Sequence, residues 1–163
     1  MTIRKWILGA ALAAGALLGG GCDYMPQHKV ATAQPSDETF RDFGTYEVHY
    51  NAVRTDSLPA EIARSYGIQR SKNRVMLNVT VLRKEADHAP RKPVDAEVKV
   101  DAYNLNGQLK NIEVRRVSEG DAIYYIGEVS IGGAEILVFD ISVTPDGESA
   151  PLTVKFKREL DTV

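Results

Sequence analysis

The feature that most constrains this chain is an alternation of apolar and polar side chains that begins near residue 43 and recurs almost to the end. Phe43, Tyr46, Val48 and Tyr50 are apolar, the last three on one face, while Thr45, Glu47, His49 and Asn51 fall on the other. Val75, Leu77, Val79 and Val81 repeat the pattern. So do Val94, Ala96, Val98, Val100 and Ala102, set against Asp95, Glu97, Lys99 and Asp101. A period of two belongs to the pleated strand, so each run predicts a strand with one buried face. Four further strands are predicted over residues 109–117, 122–131, 136–143 and 152–157. Asn106-Gly107, residues 118–121, Gly132-Gly133 and Pro145-Asp146-Gly147 supply the turns between them.

One stretch changes period. Leu58, Ile62 and Tyr66 fall four apart and predict a two-turn helix. Ser57 or Asp56 can cap it, Pro59 suits its first turn, and Gly67 suits a left-handed stop. So short a helix cannot stand alone and must lie against the sheets. Parallel pairing would need long crossovers, whereas most links here are short. The predicted fold is therefore all-β: a seven-stranded antiparallel β-sandwich, immunoglobulin- or fibronectin-like, with one short helix after the first strand. A partly open barrel is the alternative. Asp121-Ala122-Ile123-Tyr124-Tyr125 is similar to the tyrosine corner of such sandwiches.

The first 38 residues belong to none of this. Arg4 and Lys5 precede an apolar run from Trp6 to Leu18, and Gly19-Gly20-Gly21 then leads to Cys22, the only cysteine. Thirteen apolar residues are too few to span a bilayer as a helix, which takes about 20. Residues 1–21 are a secretion signal. The cysteine placed directly after small residues makes the segment resemble a bacterial lipoprotein signal, although Gly19 stands where Leu is usual. The resemblance implies that Cys22 is acylated and becomes the first mature residue, a permanent membrane anchor. A thiol left free in an oxidising compartment would be a liability. Asp23 favours retention at the inner membrane by the enteric pattern. Residues 23–38 are polar, with two prolines and no periodicity, and read as a tether reaching about 20–25 Å. The domain plan is thus a signal over 1–21, a lipidated Cys22 with its tether over 22–38, and a sandwich over 39–163.

Composition narrows the function. Without its leader the chain keeps eighteen basic against twenty-two acidic residues and shows no basic block, which excludes a nucleic-acid partner. One cysteine cannot form an internal disulfide or a Cys-based zinc site. No nucleophile-elbow pattern accompanies His49 or His88, and no glycine-rich phosphate cradle is present. No catalytic residue, metal site or cofactor is assigned.

Three motifs together carry a family resemblance: Phe43-Gly44-Thr45-Tyr46-Glu47-Val48-His49-Tyr50-Asn51-Ala52, Tyr66-Gly67-Ile68-Gln69-Arg70-Ser71-Lys72-Asn73-Arg74, and Glu119-Gly120-Asp121-Ala122-Ile123-Tyr124-Tyr125-Ile126. In order and spacing they resemble a family of small exported proteobacterial proteins known only as a domain of unknown function. The resemblance spans about residues 40–160 and implies a β-rich fold in the Gram-negative envelope; it brings no activity.

What remains is a polar constellation. His49 and Asn51 lie on the open face of the first strand, and Arg70, Lys72 and Asn73 form a cationic turn after the helix. If the chain folds back over that strand, these donors line one patch able to hold a carboxylate or an acidic partner loop. The expected protein is a non-enzymatic binding or adaptor module, tethered through Cys22 to the periplasmic face of a membrane. Its partner would be another envelope protein or a small ligand. The opposing expectation is a periplasmic enzyme or metal carrier that uses His49.

Overall fold

The structure, a computed structural model, describes residues 38–86 and 89–160. The described residues form ten strands: β1 (Phe40–Asp42), β2 (Tyr46–Arg54), β3 (Arg74–Arg83), β4 (Lys92–Pro93), β5 (Ala96–Asn104), β6 (Leu109–Lys110), β7 (Glu113–Glu119), β8 (Ala122–Ser130), β9 (Glu135–Pro145) and β10 (Leu152–Leu160). They form two antiparallel sheets. One runs β1-β2-β3-β8-β7, with β4 added at the end of β3, and the other runs β10-β9-β5-β6. The fold is the expected β-sandwich. Seven long strands match the seven predicted ones, and the three extra strands, β1, β4 and β6, have two or three residues each.

The core is made where the two apolar faces meet. Val48, Tyr50, Ala52, Val75, Leu77, Val79 and Val81 of the first sheet oppose Leu137, Phe139, Ile141, Val143, Val154 and Phe156 of the second, each at most 2% exposed. Three rings bridge the gap. Tyr50 packs on Phe156 at 4.6 Å between centroids, and Phe156 stacks on Phe139 at 5.1 Å. Each such side chain contributes about 1.5–3 kcal/mol on leaving water, an upper estimate because the unfolded chain already hides some of its surface. Tyr125, in the motif similar to a tyrosine corner, ties the sheets by a polar contact: its hydroxyl accepts from the Ala96 N–H at 2.7 Å.

Two expectations change in detail. The predicted strand 109–117 is two strands in different sheets. Leu109–Lys110 completes a hairpin with β5, the chain crosses at Asn111-Ile112, and Glu113–Glu119 pairs with β8. Ile112 drives the crossing, because it packs against the core. The space that it fills is the space Gly127 leaves, where an added Cβ would lie 2.8 Å from Ile112. The helix is also shorter and rotated. Thr55–Ser57 form a 3-10 turn, Pro59 stays extended, and α1 spans only Ala60–Ser65. Leu58 is therefore outside the helix and Ile62 turns to solvent, 43% exposed. Ala63 takes the buried position, with Ile68, on the outer face of the first sheet against Ile126, Met76 and Tyr124. Gly67 closes the helix at φ +65° as expected, and the Ile68 N–H donates to the Ala63 carbonyl at 2.7 Å.

The ring stack should dominate the stability. In urea denaturation Phe156→Ala should lose about 3–5 kcal/mol, and Tyr125→Phe, which strands one backbone N–H, about 1–2 kcal/mol. Equal losses would mean that the stack is not the main tie between the sheets.

Candidate functional site

The phase of β2 decides what the outer face of the first sheet presents. With Val48, Tyr50 and Ala52 turned inward, Glu47, His49 and Asn51 must face out. Across the ladder Asn78 lies opposite Asn51, and Thr80 opposite His49. On the other side Phe40 of β1 is the register partner of His49. Its ring stacks on the imidazole at 5.3 Å and 20°, as facing residues of an antiparallel pair can.

Glu47 is the unusual member, a carboxylate 3% exposed on an outer face. Arg91, reaching in from the loop after β3, donates through Nε at 2.6 Å, and the His49 Nε2–H donates at 3.2 Å. Burial pushes the Glu47 carboxyl up; the hydrogen bonds and charges of Arg91 and His49 outweigh it and hold the group below the usual carboxylate range.

Beside this pair lies a shallow polar recess of about 210 Å³, lined by Thr39, His49, Tyr50, Asn51, Asn78 and Thr80. Asn51 Oδ1 accepts from Arg158 Nη2 at 3.0 Å. Arg158 continues the inward-facing row of β10 beyond Phe156 and comes round the open edge of the sandwich. Asn78 Oδ1 is enclosed and has no hydrogen-bond partner. An enclosed carbonyl without a donor is costly, and Asn78 is one of the residues that line the recess.

The five residues expected to converge form two groups. His49 and Asn51 share the recess. Arg70, Lys72 and Asn73 sit at the far end of β2 and β3, where Arg54 pairs with Val75. Five residues of strand separate that end from Thr80, about 16 Å. A buried threonine holds the turn there. Thr55 Oγ1 donates to the Gln69 carbonyl at 2.9 Å and accepts from the Ser71 N–H at 2.9 Å. Arg70 donates to the Asp56 carbonyl at 2.6 Å, and the Asn73 carbonyl accepts from Ile131 at 2.9 Å. Lys72 is exposed and lies near enough to Asp56 to act on its charge. The carboxylate cradle expected of all five therefore does not form as one patch.

Asn78, Thr80, Arg158, Arg91 and Phe40 complete the arrangement without having been singled out in the sequence. Asn78 and Thr80 could have been, since they share the polar phase of their strand. The other three are joined to the site only by pairing and loop closure. Among the described residues no group of three or more His, Cys, Asp or Glu converges in a way that could hold a metal ion. Cys22 and His88 lie outside the described residues.

A family model described as a domain of unknown function, DUF4426, matches residues 40–161, and the chain belongs to that family. Its fold is similar to that of a DUF4426 family protein from Pseudomonas aeruginosa PAO1, at 35% identity and a TM-score of 0.64 over 76% of this chain and 94% of that one. It is also similar to a copper-bound variant of FetP from uropathogenic Escherichia coli strain F11, at 11% identity and a TM-score of 0.56 over 79% and 97% of the two chains. FetP as isolated after expression in the periplasm of E. coli gives 9% identity and a TM-score of 0.54 over 76% and 93%. No curated protein matches the chain.

The Glu47 carboxyl, held low in the folded state, adds stability that is complete above about pH 5, where the unfolded group is ionised as well. That contribution is lost as the pH falls through the folded value. Urea midpoints followed from about pH 6 to about pH 3 should drop more steeply for the native chain than for Glu47→Gln. Parallel slopes would show that Arg91 and His49 do not stabilise the ionised form.

Proposed function

We propose that this protein is a non-enzymatic binding module of the bacterial envelope. A lipid on Cys22 tethers it at the periplasmic face of a membrane, and Asp23 favours the inner one. It recognises another envelope component through the recess between β2 and β3. The observation that carries the reading is the enclosed, unpartnered Asn78 Oδ1 at the floor of a recess walled by Asn51, Thr80 and His49. Such a site suits a group that both donates and accepts hydrogen bonds, such as a peptide amide or a hydroxyl. Beside the recess the Arg158 guanidinium donates to Asn51 through Nη2 and keeps an enclosed Nε without a partner. Membership of a family of unknown function brings no activity, and loops on a rigid sandwich are where binding residues are commonly placed.

A second reading keeps His49 as a metal ligand or catalytic base. FetP is described with copper bound, and that likeness, at 11% identity, extends to the fold. In this chain the nearest partner of His49 is the single carboxylate of Glu47.

The two readings separate in one set of measurements on membranes from cells making the full chain. Crosslinking followed by affinity purification should capture a partner with the native protein, and Asn78→Leu with Asn51→Ala should reduce the capture at least tenfold. Calorimetry with copper should show no stoichiometric uptake that His49→Ala abolishes. Copper bound through His49 with no captured partner would overturn the proposal. Mass spectrometry should find the mature chain starting at an acylated Cys22; an unmodified Cys22 still joined to its leader would remove the anchor.

A further inference from the structure

The hairpin between β5 and β6 ends in a tip with two exposed leucines. Leu105 is 59% and Leu109 72% exposed, and they flank Asn106-Gly107-Gln108. The exposure is held in place by the loop itself. The Asn104 carboxamide accepts from the Asn106 N–H at 3.1 Å and the Gln108 N–H at 3.0 Å, and donates to Gln108 Oε1 at 3.2 Å. The Asn104 N–H donates to the Gln108 carbonyl, and the Gly107 N–H to the Asn104 carbonyl, with Gly107 at φ +76°. The N–H groups of Asn104, Asn106, Gly107 and Gln108 are thus satisfied within the loop, which lowers the penalty for leaving water. It also carries no charge. From Asn104 to Leu109 every side chain is neutral, and the next residue, Lys110, is paired with Glu135 at 2.8 Å.

We propose that this tip inserts into the interfacial layer of the membrane that carries the anchor, with Leu105 and Leu109 among the lipid chains; the inference rests on the tethered reading given above. Direction supports it. β1 is antiparallel to β2, so Glu38 and Thr39 lead into β1 from the side of Arg54. β10 lies beside β2 in the same sense, as Tyr50 meets Phe156 and Asn51 meets Arg158, and β5 runs parallel to β10 through β9. The hairpin beyond Asn104 therefore projects at the end of the sandwich where Glu38 and Thr39 enter β1. Scale supports it as well. A stable protein interface buries about 1,200 Å² or more, far beyond a two-leucine tip. Interfacial insertion needs only a small apolar wedge when an anchor already holds the protein near. Fifteen residues separate Cys22 from Glu38, and a linker of that length keeps the tip at about millimolar effective concentration toward the bilayer.

The test uses the full chain, purified in detergent and reconstituted into vesicles of phosphatidylethanolamine and phosphatidylglycerol that include brominated phosphatidylcholine. The mature chain, which begins at Cys22, carries no tryptophan, so Leu109→Trp supplies the only one. Its emission should be quenched at least twofold by the bromolipid, and Leu105→Asp added to it should remove most of the quenching. Lys99→Trp, on the exposed face of β5, should not be quenched. Unquenched emission from the Leu109→Trp chain, on vesicles that float with the protein, overturns the insertion and leaves the anchor standing. Protein that does not float at all overturns both. A blue shift of the same variant seen in native envelopes and absent from the vesicles means that a protein covers the tip, and overturns the lipid assignment.

Discussion

Two half-apolar sheets pressed face to face are the constraint on which the rest of the molecule depends. The inner rows of valines and leucines on the two sheets are buried only against each other, so each sheet depends on the other's cover. The Tyr50–Phe156–Phe139 stack spans the gap and sets the level at which β2 and β10 meet. Once Tyr50 is turned inward, its neighbours have no choice. Glu47, His49 and Asn51 must face out, and one residue of slip would bury them and expose the core. The same parity on β10 turns Arg158 inward at the edge, where it finds Asn51.

The outer face shows two ways of handling polar groups away from water. Glu47 is paired twice, by a guanidinium and an imidazole, and is thereby stabilised in its ionised form. Asn78 Oδ1 and, beside it, Arg158 Nε are enclosed and left without a partner. Only the second arrangement asks for something from outside the chain, which is why the recess, and not the buried ion pair, is the natural place for a ligand. Similar sandwiches at about a tenth identity include FetP, a likeness that extends to the fold alone. The family relation, at 35% identity with the Pseudomonas aeruginosa protein, concerns the scaffold and carries no ligand with it.

Most of the fold was legible because alternation is a local signal. The run from Val75 to Val81, or from Val98 to Ala102, states its buried face without reference to any other strand. The run 109–117 was misleading because Leu109, which lies out of phase with Ile112 and Val114, was read into the same strand. The cause of the crossing, Ile112 entering a space opened by Gly127, lies in another strand. Of the expected helix stripe, Leu58 and Tyr66 do pack on the cluster of Ala63, Ile68 and Ile126, while Ile62 turns to solvent because α1 begins only after Pro59. Of the site, His49 and Asn51 were readable from the polar phase of β2. Their separation from Arg70, Lys72 and Asn73 was not, since it depends on where Thr55 pins the returning chain.

By itself the sequence determined the class of fold, the buried face of each long strand, the turn glycines and the outward phase of His49 and Asn51. These follow from spacing between residues near one another in the chain, which a period of two encodes directly. Only the tertiary structure decided which strands pair, which sheet receives the crossing chain, and that Asn51, Asn78 and Arg158 meet at one recess. Those outcomes depend on contacts between residues as far apart as 51 and 158, for which no local pattern exists.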